Sequence, residues 1–329
     1  MLRRRAGDRG MHGRSGGSGG VPVLLPLAWT ATILLGFAAS VAFAIAPPAL
    51  RLTTPGGQQM YWWSAQSAPA RWPAPGVLAA SAQWRPAQPG IEWAQLPVRG
   101  PGEASALRLI AVRLDPRQVQ LSLRWGVDRA TARPAWDLAD APSDAVVAVN
   151  AGMFVDALPW GWVVNRGGEL LPPGRGPLSS AFVVTRTGGV AMIDGDDVGT
   201  WRARGDVVEA FQTYPTLLTG DGDVPAPLRE GDSIDREHRD ARLAIGLDRQ
   251  GRVLIVLTRL DLALPAADRI PVGLTVPEMS AVMGSLGARQ AALLDGGISA
   301  QLRLKDFDGA TRDWAGMRQV PLALVARPR

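Results

Sequence analysis

The sequence predicts an α+β protein: a mixed, largely antiparallel β-sheet domain with helices packed on it, preceded by a single N-terminal transmembrane helix. Three observations predict this class. Short apolar segments separated by Gly, Pro and Asp recur between residues 90 and 329, as in antiparallel sheets. One segment, residues 276–286, carries helix signals at both ends. Residues 21–50 contain no charged side chain, which is typical of a membrane-spanning helix.

Composition limits the classes of function. The chain has 329 residues, of which 47% are apolar and 20% charged, so it can bury a sizeable core. Its net charge is +5, but residues 1–20 contain five arginines and one aspartate (+4), which leaves +1 for the rest. A nearly neutral domain argues against nucleic acid as a partner. The absence of cysteine excludes disulfides, a thiolate nucleophile and a cysteine zinc site.

The N-terminal region is predicted to hold a cytoplasmic basic tail (1–20) and a transmembrane anchor (21–47). The apolar run from Leu24 to Ala46 can cross a hydrocarbon core of about 30 Å as a helix. Because arginines prefer the cytoplasmic side, we expect a single-pass protein of the inner (cytoplasmic) membrane with its C-terminal domain in the periplasm or outside. The length of the run favours an uncleaved anchor, and small residues near its end leave a cleavage site as the alternative.

Residues 48–89 are predicted to be a linker, because prolines are scattered among Ala, Gln and Ser and resist continuous helix. Their aromatic content complicates this prediction. Tyr61, Trp62, Trp63, Trp72 and Trp84 are too many to remain solvated, so part of the segment either packs on the domain or lies at the membrane surface.

Residues 90–329 are predicted to form one domain. Three strand pairs flank turn residues and are expected to be joined by those turns: 107–114 with 119–125, 181–186 with 190–193, and 243–247 with 253–258. Further strands are expected at 145–150, 291–294, 298–304 and 320–325. The best helix starts after Thr275, which with Glu278 forms a capping box, and ends before Gly287.

The string Leu293-Leu294-Asp295-Gly296-Gly297 is the most informative local pattern. An apolar run of this kind ends a buried strand, and two glycines free the next turn, so a ligand can approach Asp295 closely. An ordinary Asp-Gly turn is the structural alternative.

Other polar residues follow predicted strands in the same way. Asn150, which precedes Gly152, has an amide that both donates and accepts hydrogen bonds. Gln212 and Tyr214 stand together in Gln-Thr-Tyr-Pro. Arg242 begins a buried strand, where a guanidinium is stable only beside an anion of the protein or of a ligand.

In this order, the strings Asn-Ala-Gly-Met-Phe, Gln-Thr-Tyr-Pro, Arg-Leu-Ala-Ile-Gly and Leu-Asp-Gly-Gly-Ile-Ser, together with Pro159 and Gly161, resemble the phosphodiester glycosidase family in its bacterial envelope branch. The resemblance spans about residues 145–300. Two positions depart from the family pattern: Leu294, where Asn is frequent, and Leu243, where Thr is frequent.

The resemblance implies hydrolysis of a sugar 1-phosphodiester at its glycosidic bond. That reaction needs a carboxylate near the anomeric carbon, as nucleophile or as base for water, and Asp295 is the candidate. Arg242 is expected to hold the departing phosphate, and Asn150 to complete the catalytic set. The expected substrate-binding residues are Gln212, Tyr214, Gly152, Gly296, Gly297 and Ser299.

Other acidic residues and His238 have simpler explanations. The capping box accounts for Glu278, and a charged, solvated loop accounts for His238. Acidic residues around Gly195, at 194, 196 and 197, lack the spacing of an EF-hand and favour a turn. No metal site or cofactor is therefore assigned, although carboxylates leave Ca²⁺ or Mg²⁺ possible.

Three functional hypotheses remain. The first is a membrane-anchored hydrolase that cleaves sugar 1-phosphodiesters in envelope or exopolysaccharide material, with a carbohydrate phosphodiester as its partner. The second is a non-catalytic protein that binds envelope polysaccharide or assists exopolysaccharide biosynthesis. The third is a phosphodiesterase that attacks at phosphorus.

Overall fold

A computed structural model describes residues 49–54, 56–174, 176–262 and 269–329. From Ala49 onwards, the described residues cluster as one compact unit. No helix within these ranges is both long and apolar enough to cross a membrane. The predicted basic tail (1–20) and anchor (21–47) lie outside the described residues.

Strands dominate this unit. The first strands in chain order are β1 (Ala49–Thr53), β2 (Gln59–Ser64), β3 (Arg85–Gln88), β4 (Ile91–Arg99), β5 (Leu107–Leu114), β6 (Val119–Trp125), β7 (Val147–Asn150), β8 (Phe154–Val155), β9 (Leu158–Pro159), β10 (Val163–Asn165) and β11 (Gly168–Leu171). The remaining strands are β12 (Ser180–Thr185), β13 (Val190–Asp194), β14 (Val207–Thr213), β15 (Thr216–Leu218), β16 (Leu243–Asp248), β17 (Val253–Leu260), β18 (Ala288–Leu294), β19 (Leu302–Lys305), β20 (Thr311–Trp314) and β21 (Leu322–Pro328).

Helices are short and few in the described part of the chain. They are α1 (Val77–Ser81), α2 (Val198–Ala203), α3 (Ala226–Arg229) and α4 (Val276–Ser285). Helix α4 confirms the prediction for residues 276–286. Its capping box is complete: the Glu278 N–H donates to the Thr275 hydroxyl oxygen, and the Thr275 N–H donates to the Glu278 carboxylate.

The strands form three main sheets and one small hairpin. The large sheet has the order β15-β18-β16-β17-β5-β4-β1-β2, with β3 also paired to β4. The second sheet has the order β11-β10-β14-β12-β13, the third β20-β19-β7-β21-β6, and β8 pairs with β9. Each pairing between these strands is antiparallel. The prediction was a mixed, largely antiparallel sheet, and the described strands contain no parallel pair.

The core follows the two-residue period of the central strands. In β5, Ile110 and Val112 face a cluster shared with the second and third sheets, whereas Leu109 and Ala111 face a cluster shared with α4. The large sheet is therefore buried on both faces, and its central strands are apolar throughout. Polar residues are consequently placed at strand ends, where the candidate site lies.

Part of the predicted linker packs on the domain. Strands β1 to β3 lie within the span predicted as a linker, and β1 pairs with β4 in the large sheet. Trp63 is buried in the core together with Leu50 and Leu52. The prolines of this span stand mainly between the short strands, so they do not interrupt the sheet.

Two strand predictions need correction. Strands β5 and β6 have the predicted bounds, but they do not pair: β5 lies between β4 and β17, and β6 pairs with β21 in the third sheet. Both edges of β5 are occupied, so the chain crosses between sheets after it. The strand expected at 298–304 begins only at Leu302, because residues 297–299 form a 3-10 turn.

Candidate active site

Asp295 follows β18 directly and lines a cavity of about 340 Å³. The walls come from segments distant in sequence, because the residues that precede β16 meet those that follow β18. The lining includes Met153, Tyr214, Pro215, Ile234, Asp235, His238, Asp240, Arg242, Val276, Asp295 and Gly296. The Asp295 side chain is only 18% exposed, so its carboxylate is largely removed from bulk water.

The backbone of Asp295 is held by the segment that follows β7. The Asp295 N–H donates to the Gly152 carbonyl at 2.9 Å, and the Asn150 amide Nδ2 donates to the Asp295 carbonyl at 2.8 Å. The Asn150 Oδ1 accepts from the Gln301 N–H at 3.0 Å. Asn150 is fully buried and both ends of its amide hold backbone groups, so it positions Asp295; its predicted place in the catalytic set stays a prediction.

The Asp295 carboxylate has two side-chain partners. Arg318 Nη2 lies 2.9 Å from Asp295 Oδ2, and Arg318 Nε donates to Ser299 Oγ at 2.6 Å. Burial raises the pKa of Asp295 above its usual value, while hydrogen bonding from Ser299 and the charge of Arg318 lower it in part. Ser299, which was predicted to bind substrate, is buried and contacts Arg318 and Asp295 in this structure; its predicted role stays a prediction.

A second carboxylate, Asp240, lines the same cavity. Its Oδ1 accepts from the Ala241 N–H at 2.8 Å. Burial raises the pKa of Asp240, the charge of Arg242 lowers it, and the negative charge of Asp295 raises it further. The two carboxyl groups therefore influence each other, as paired acids in active sites do.

Sequence reasoning missed Asp240 and Arg318. A signal for Asp240 existed, since it lies two residues before Arg242, and in the sheet Leu243 pairs with Leu294. Because these strands are antiparallel, residues just before β16 must lie beside residues just after β18. Arg318 offers no such signal, because it stands in an irregular segment of an arginine-rich chain.

Arg242 is fixed at the cavity wall by backbone carbonyls. Its Nε donates to the Leu274 carbonyl at 2.8 Å and its Nη2 to the His238 carbonyl at 2.7 Å. Burial lowers the pKa of the guanidinium, and the nearby carboxylates of Asp240 and Asp235 raise it. The structure therefore brings Arg242 and Asp295 to one cavity.

The two glycines after Asp295 permit a close crossing of backbones. A Cβ on Gly296 would lie 2.5 Å from the Ala241 carbonyl oxygen, and the Gly297 N–H donates to that same oxygen at 2.7 Å. Gly297 also has a φ of +55°, and a Cβ there would lie 2.7 Å from Asp240 Oδ2. The Gly297 N–H is therefore engaged within the protein, and the predicted role of Gly297 in substrate binding stays a prediction.

The remaining predicted residues divide between cavity and scaffold. Tyr214 lines the cavity, its hydroxyl donates to the Ser233 carbonyl at 3.4 Å, and burial raises its pKa. Gln212 is buried, and its Oε1 accepts from the N–H groups of Trp162 at 2.7 Å and Gly174 at 2.8 Å. Gly152 has a φ of +76° beside the Gln212 backbone. Gln212 and Gly152 thus support the site without reaching the cavity.

The structure also shows the surroundings of Glu278, His238 and the acidic turn at residues 194–197. Glu278 is fully buried and accepts two hydrogen bonds of 2.7 Å from Arg239, besides capping α4, so it is structural. His238 is exposed and lines the cavity. Asp194 accepts from the Asp196 N–H at 3.1 Å, as in a turn. Within the described ranges, no group of three or more His, Asp or Glu side chains is arranged to hold a metal ion.

The comparisons with solved structures concern the fold alone. The catalytic domain of zebrafish N-acetylglucosamine-1-phosphodiester alpha-N-acetylglucosaminidase, auto-inhibited by its pro-peptide, is similar in fold: the TM-score is 0.53, identity is 15%, and the match covers 88% of this chain and 91% of that one. A hypothetical protein from Synechocystis matches with a TM-score of 0.47 and 18% identity over 74% of this chain and 64% of its own.

No protein of curated function matches the sequence at a significant level. The family model for phosphodiester glycosidases, however, matches residues 143–327, which is more than half of the chain and includes Asn150, Asp240, Arg242, Asp295 and Arg318. The chain therefore belongs to the phosphodiester glycosidase family.

Proposed function

We propose that this chain hydrolyses the bond between C1 and oxygen in sugar 1-phosphodiesters, with Asp295 as the carboxylate that faces the anomeric carbon. One observation carries the proposal: Asp295 lies buried at a strand end in a cavity shared with a second acid, Asp240, and a fixed guanidinium, Arg242. Membership of the phosphodiester glycosidase family supports the same reaction class.

The two carboxyl groups are suited to different protonation states. Two nearby acids in a desolvated cavity do not ionise equally readily, so one retains its proton to a higher pH. Asp295 is contacted directly by Arg318 and Ser299, whereas the hydrogen-bond donor to Asp240 is a backbone N–H. We therefore assign the negative charge to Asp295 and the proton to Asp240.

In the proposed reaction, the bond from C1 to the phosphate oxygen breaks and its electron pair leaves with the phosphate. Ionised Asp295 stabilises the oxocarbenium-like state, either by attacking C1 itself or by taking a proton from the attacking water. Water supplies the hydroxyl at C1, and the phosphate remains on the other partner. Arg242 lies where it can neutralise the departing phosphate, which leaves far more readily than a sugar alcohol.

The assay uses the purified full chain and N-acetylglucosamine 1-(methyl phosphate) as a simple substrate, with release of free sugar as readout. Asp295→Asn should lower kcat by about 1,000-fold or more, as removal of an essential catalytic group does. Glu103→Gln removes an exposed acid elsewhere and should leave the rate unchanged. Binding of the substrate without turnover by the wild type would instead support the non-catalytic alternative.

We also propose that the substrate belongs to envelope or exopolysaccharide material and that the domain faces the periplasm. This part rests on the sequence, in which an arginine-rich start precedes the uncharged residues 21–50. Protease digestion of intact spheroplasts should degrade the domain from outside. Protection of the domain until the membrane is lysed would place it in the cytoplasm and contradict this part alone.

A further inference from the structure

A second depression adjoins the cavity that holds Asp295. It has a volume of about 290 Å³, and its lining includes Trp63, Trp72, Arg229, Arg236 and Pro277. We call it the Trp72 groove. Its size is near the lower end of ligand sites, about 300 Å³, which suits one sugar-phosphate unit.

The cavity and the Trp72 groove share one wall. Asp235 lines the cavity and the next residue, Arg236, lines the groove; Val276 lines the cavity and the next residue, Pro277, lines the groove. Consecutive Cα atoms are about 3.8 Å apart, so the wall is a single layer of chain at both places. The cavity and the groove therefore lie next to each other at this wall.

The groove offers both an aromatic face and positive charge. Trp72 is half-buried and packs across Gly284 of α4, while its ring also lines the groove. Arg229 is exposed and Arg236 is half-buried. Rings of sugars pack on aromatic side chains, and guanidinium groups bind phosphate and carboxylate.

The two arginines of the groove differ from their neighbour Arg239. Arg239 is neutralised by the buried Glu278, whereas neither Arg229 nor Arg236 lies within 4.0 Å of a carboxylate oxygen among residues 49–54, 56–174, 176–262 and 269–329. Arg236 Nη1 donates to the Arg229 carbonyl at 2.8 Å, which fixes the two residues side by side. This pair of cations complements an anionic ligand.

We propose that the Trp72 groove binds the part of the substrate beyond the scissile phosphate, and that this part is an anionic saccharide. The inference rests on the proposed function, because it extends the substrate of the same site. It assigns Arg229 and Arg236 to recognition of the second negative charge and Trp72 to packing against the sugar ring.

The kinetic test compares two substrates with the same reacting sugar. One is N-acetylglucosamine 1-(methyl phosphate), and the other carries a glucose disaccharide 6-phosphate in place of the methyl group. The double variant Arg229→Ala/Arg236→Ala should lower kcat/KM for the long substrate by about tenfold or more, the usual effect of losing hydrogen bonds to a charged group, and change that for the short one less than twofold. Arg129→Ala, at an exposed position in the loop after β6, is the matched control. Equal losses for both substrates would overturn the inference while the proposed function stands.

A binding test separates the inference from failure of the chemistry. Calorimetry of the full-length Asp295→Asn chain with maltotriose 6-phosphate should give binding at least tenfold tighter than with maltotriose, and the double variant should remove that difference. This result would support the groove even if no phosphodiester were hydrolysed. Equal affinity for the neutral and phosphorylated sugars, or binding insensitive to the two arginines, would contradict it.

Discussion

At the scale of single residues, Asp295 lies in a buried environment that disfavours the negative charge of its carboxylate. Burial raises its pKa, and the contacts with Ser299 and Arg318 offset only part of that effect. A carboxyl group whose pKa is higher in the folded chain than in the unfolded chain destabilises the fold wherever it is ionised. Sites held for function commonly show this conflict with stability.

Replacement of Asp295 by Asn should therefore stabilise the protein while removing activity. Below the ordinary pKa of Asp, 3.8, the carboxyl is protonated in both the folded and unfolded chain, and the penalty is absent. As pH rises through the raised pKa of the folded state, the wild type loses stability and the variant does not. We expect a higher melting temperature for Asp295→Asn at pH 7, with the difference narrowing towards pH 4. A variant that melts below the wild type at pH 7 would contradict the assigned environment.

The pH dependence of activity should report the same carboxylate. In the proposed mechanism Asp295 acts when ionised, so kcat/KM should fall on the acid side as pH drops through its raised pKa. Arg318→Ala removes a positive charge that lowers this pKa, so the acid limb should move to higher pH. The measurement is kcat/KM from pH 4 to 8 for the wild type, Arg318→Ala and the control Arg129→Ala. An acid limb that stays in place in Arg318→Ala would exclude the ion pair from the mechanism.

Gly297 should be as sensitive as a catalytic position, although it has no side chain. Gly297→Ala adds a Cβ 2.7 Å from Asp240 Oδ2 at a φ of +55°, so the carboxylate must move. We expect kcat to fall by roughly 100-fold, the effect of a displacement of about 1 Å in an active site, because Asp240 shares the cavity with Asp295. Gly199→Ala in α2 is the matched control, since its Cβ meets nothing within 4 Å. That change should stabilise the protein by up to about 1 kcal/mol, because alanine favours helix. Full activity of Gly297→Ala would show that Asp240 is not needed in its present place.

The sequence predicts only part of this site. Asp295, Arg242 and Tyr214 line one cavity, and the sequence singled them out because polar residues at the ends of buried strands are visible in it; their roles stay predictions. Asn150 and Gln212 follow the same pattern, yet their amides hold backbone groups. Local pattern does not distinguish a polar residue that faces a ligand from one that satisfies buried backbone. That distinction depends on contacts with residues far away in the chain.

At the scale of elements, helix α4 is the best predicted part, because its capping box is a local interaction. Strand bounds were also predicted well where turn residues flank apolar runs, as for β5 and β6. Their partners were not, since pairing depends on which strands occupy each edge. Two predicted hairpins are confirmed, β12 with β13 and β16 with β17, because no other strand occupies the edges along which these strands pair.

The ion pair between Glu278 and Arg239 ties the start of α4 to the loop before β16. Glu278→Gln leaves the buried side of Arg239 without its ion pair at the start of α4. We expect a loss of roughly 3 kcal/mol in the free energy of unfolding, as for breakage of a buried pair. Activity at a temperature where the variant remains folded should be close to that of the wild type, in contrast to Asp295→Asn. Denaturant unfolding and the phosphodiester assay measure both, and a folded but inactive Glu278→Gln would return Glu278 to the catalytic candidates.

At the scale of the whole molecule, the segment predicted as a linker is part of the core. Leu50, Leu52 and Leu78 are fully or almost fully buried, and β1 and β3 both pair with β4. Composition misled the prediction here, because prolines between short strands and prolines in a linker look alike in sequence. The density of tryptophan was the better indicator.

A chain that begins at Gly90 should therefore be unstable, whereas one that begins at Ala49 should fold. Removal of residues 49–89 exposes the core partners of Leu50, Leu52 and Leu78, and each buried leucine contributes about 2 kcal/mol or more. We expect aggregation in gel filtration and no cooperative melting for the shorter chain. Equal melting temperatures for the two chains would show that strands β1 to β3 are dispensable.

The most direct test of the central claim is to follow hydrolysis of a sugar 1-phosphodiester in water enriched in heavy oxygen. Cleavage between C1 and oxygen, assisted by Asp295, predicts that the label enters the C1 hydroxyl of the released sugar and that Asp295→Asn releases none. Label found in the phosphate would mean attack at phosphorus and would contradict the account.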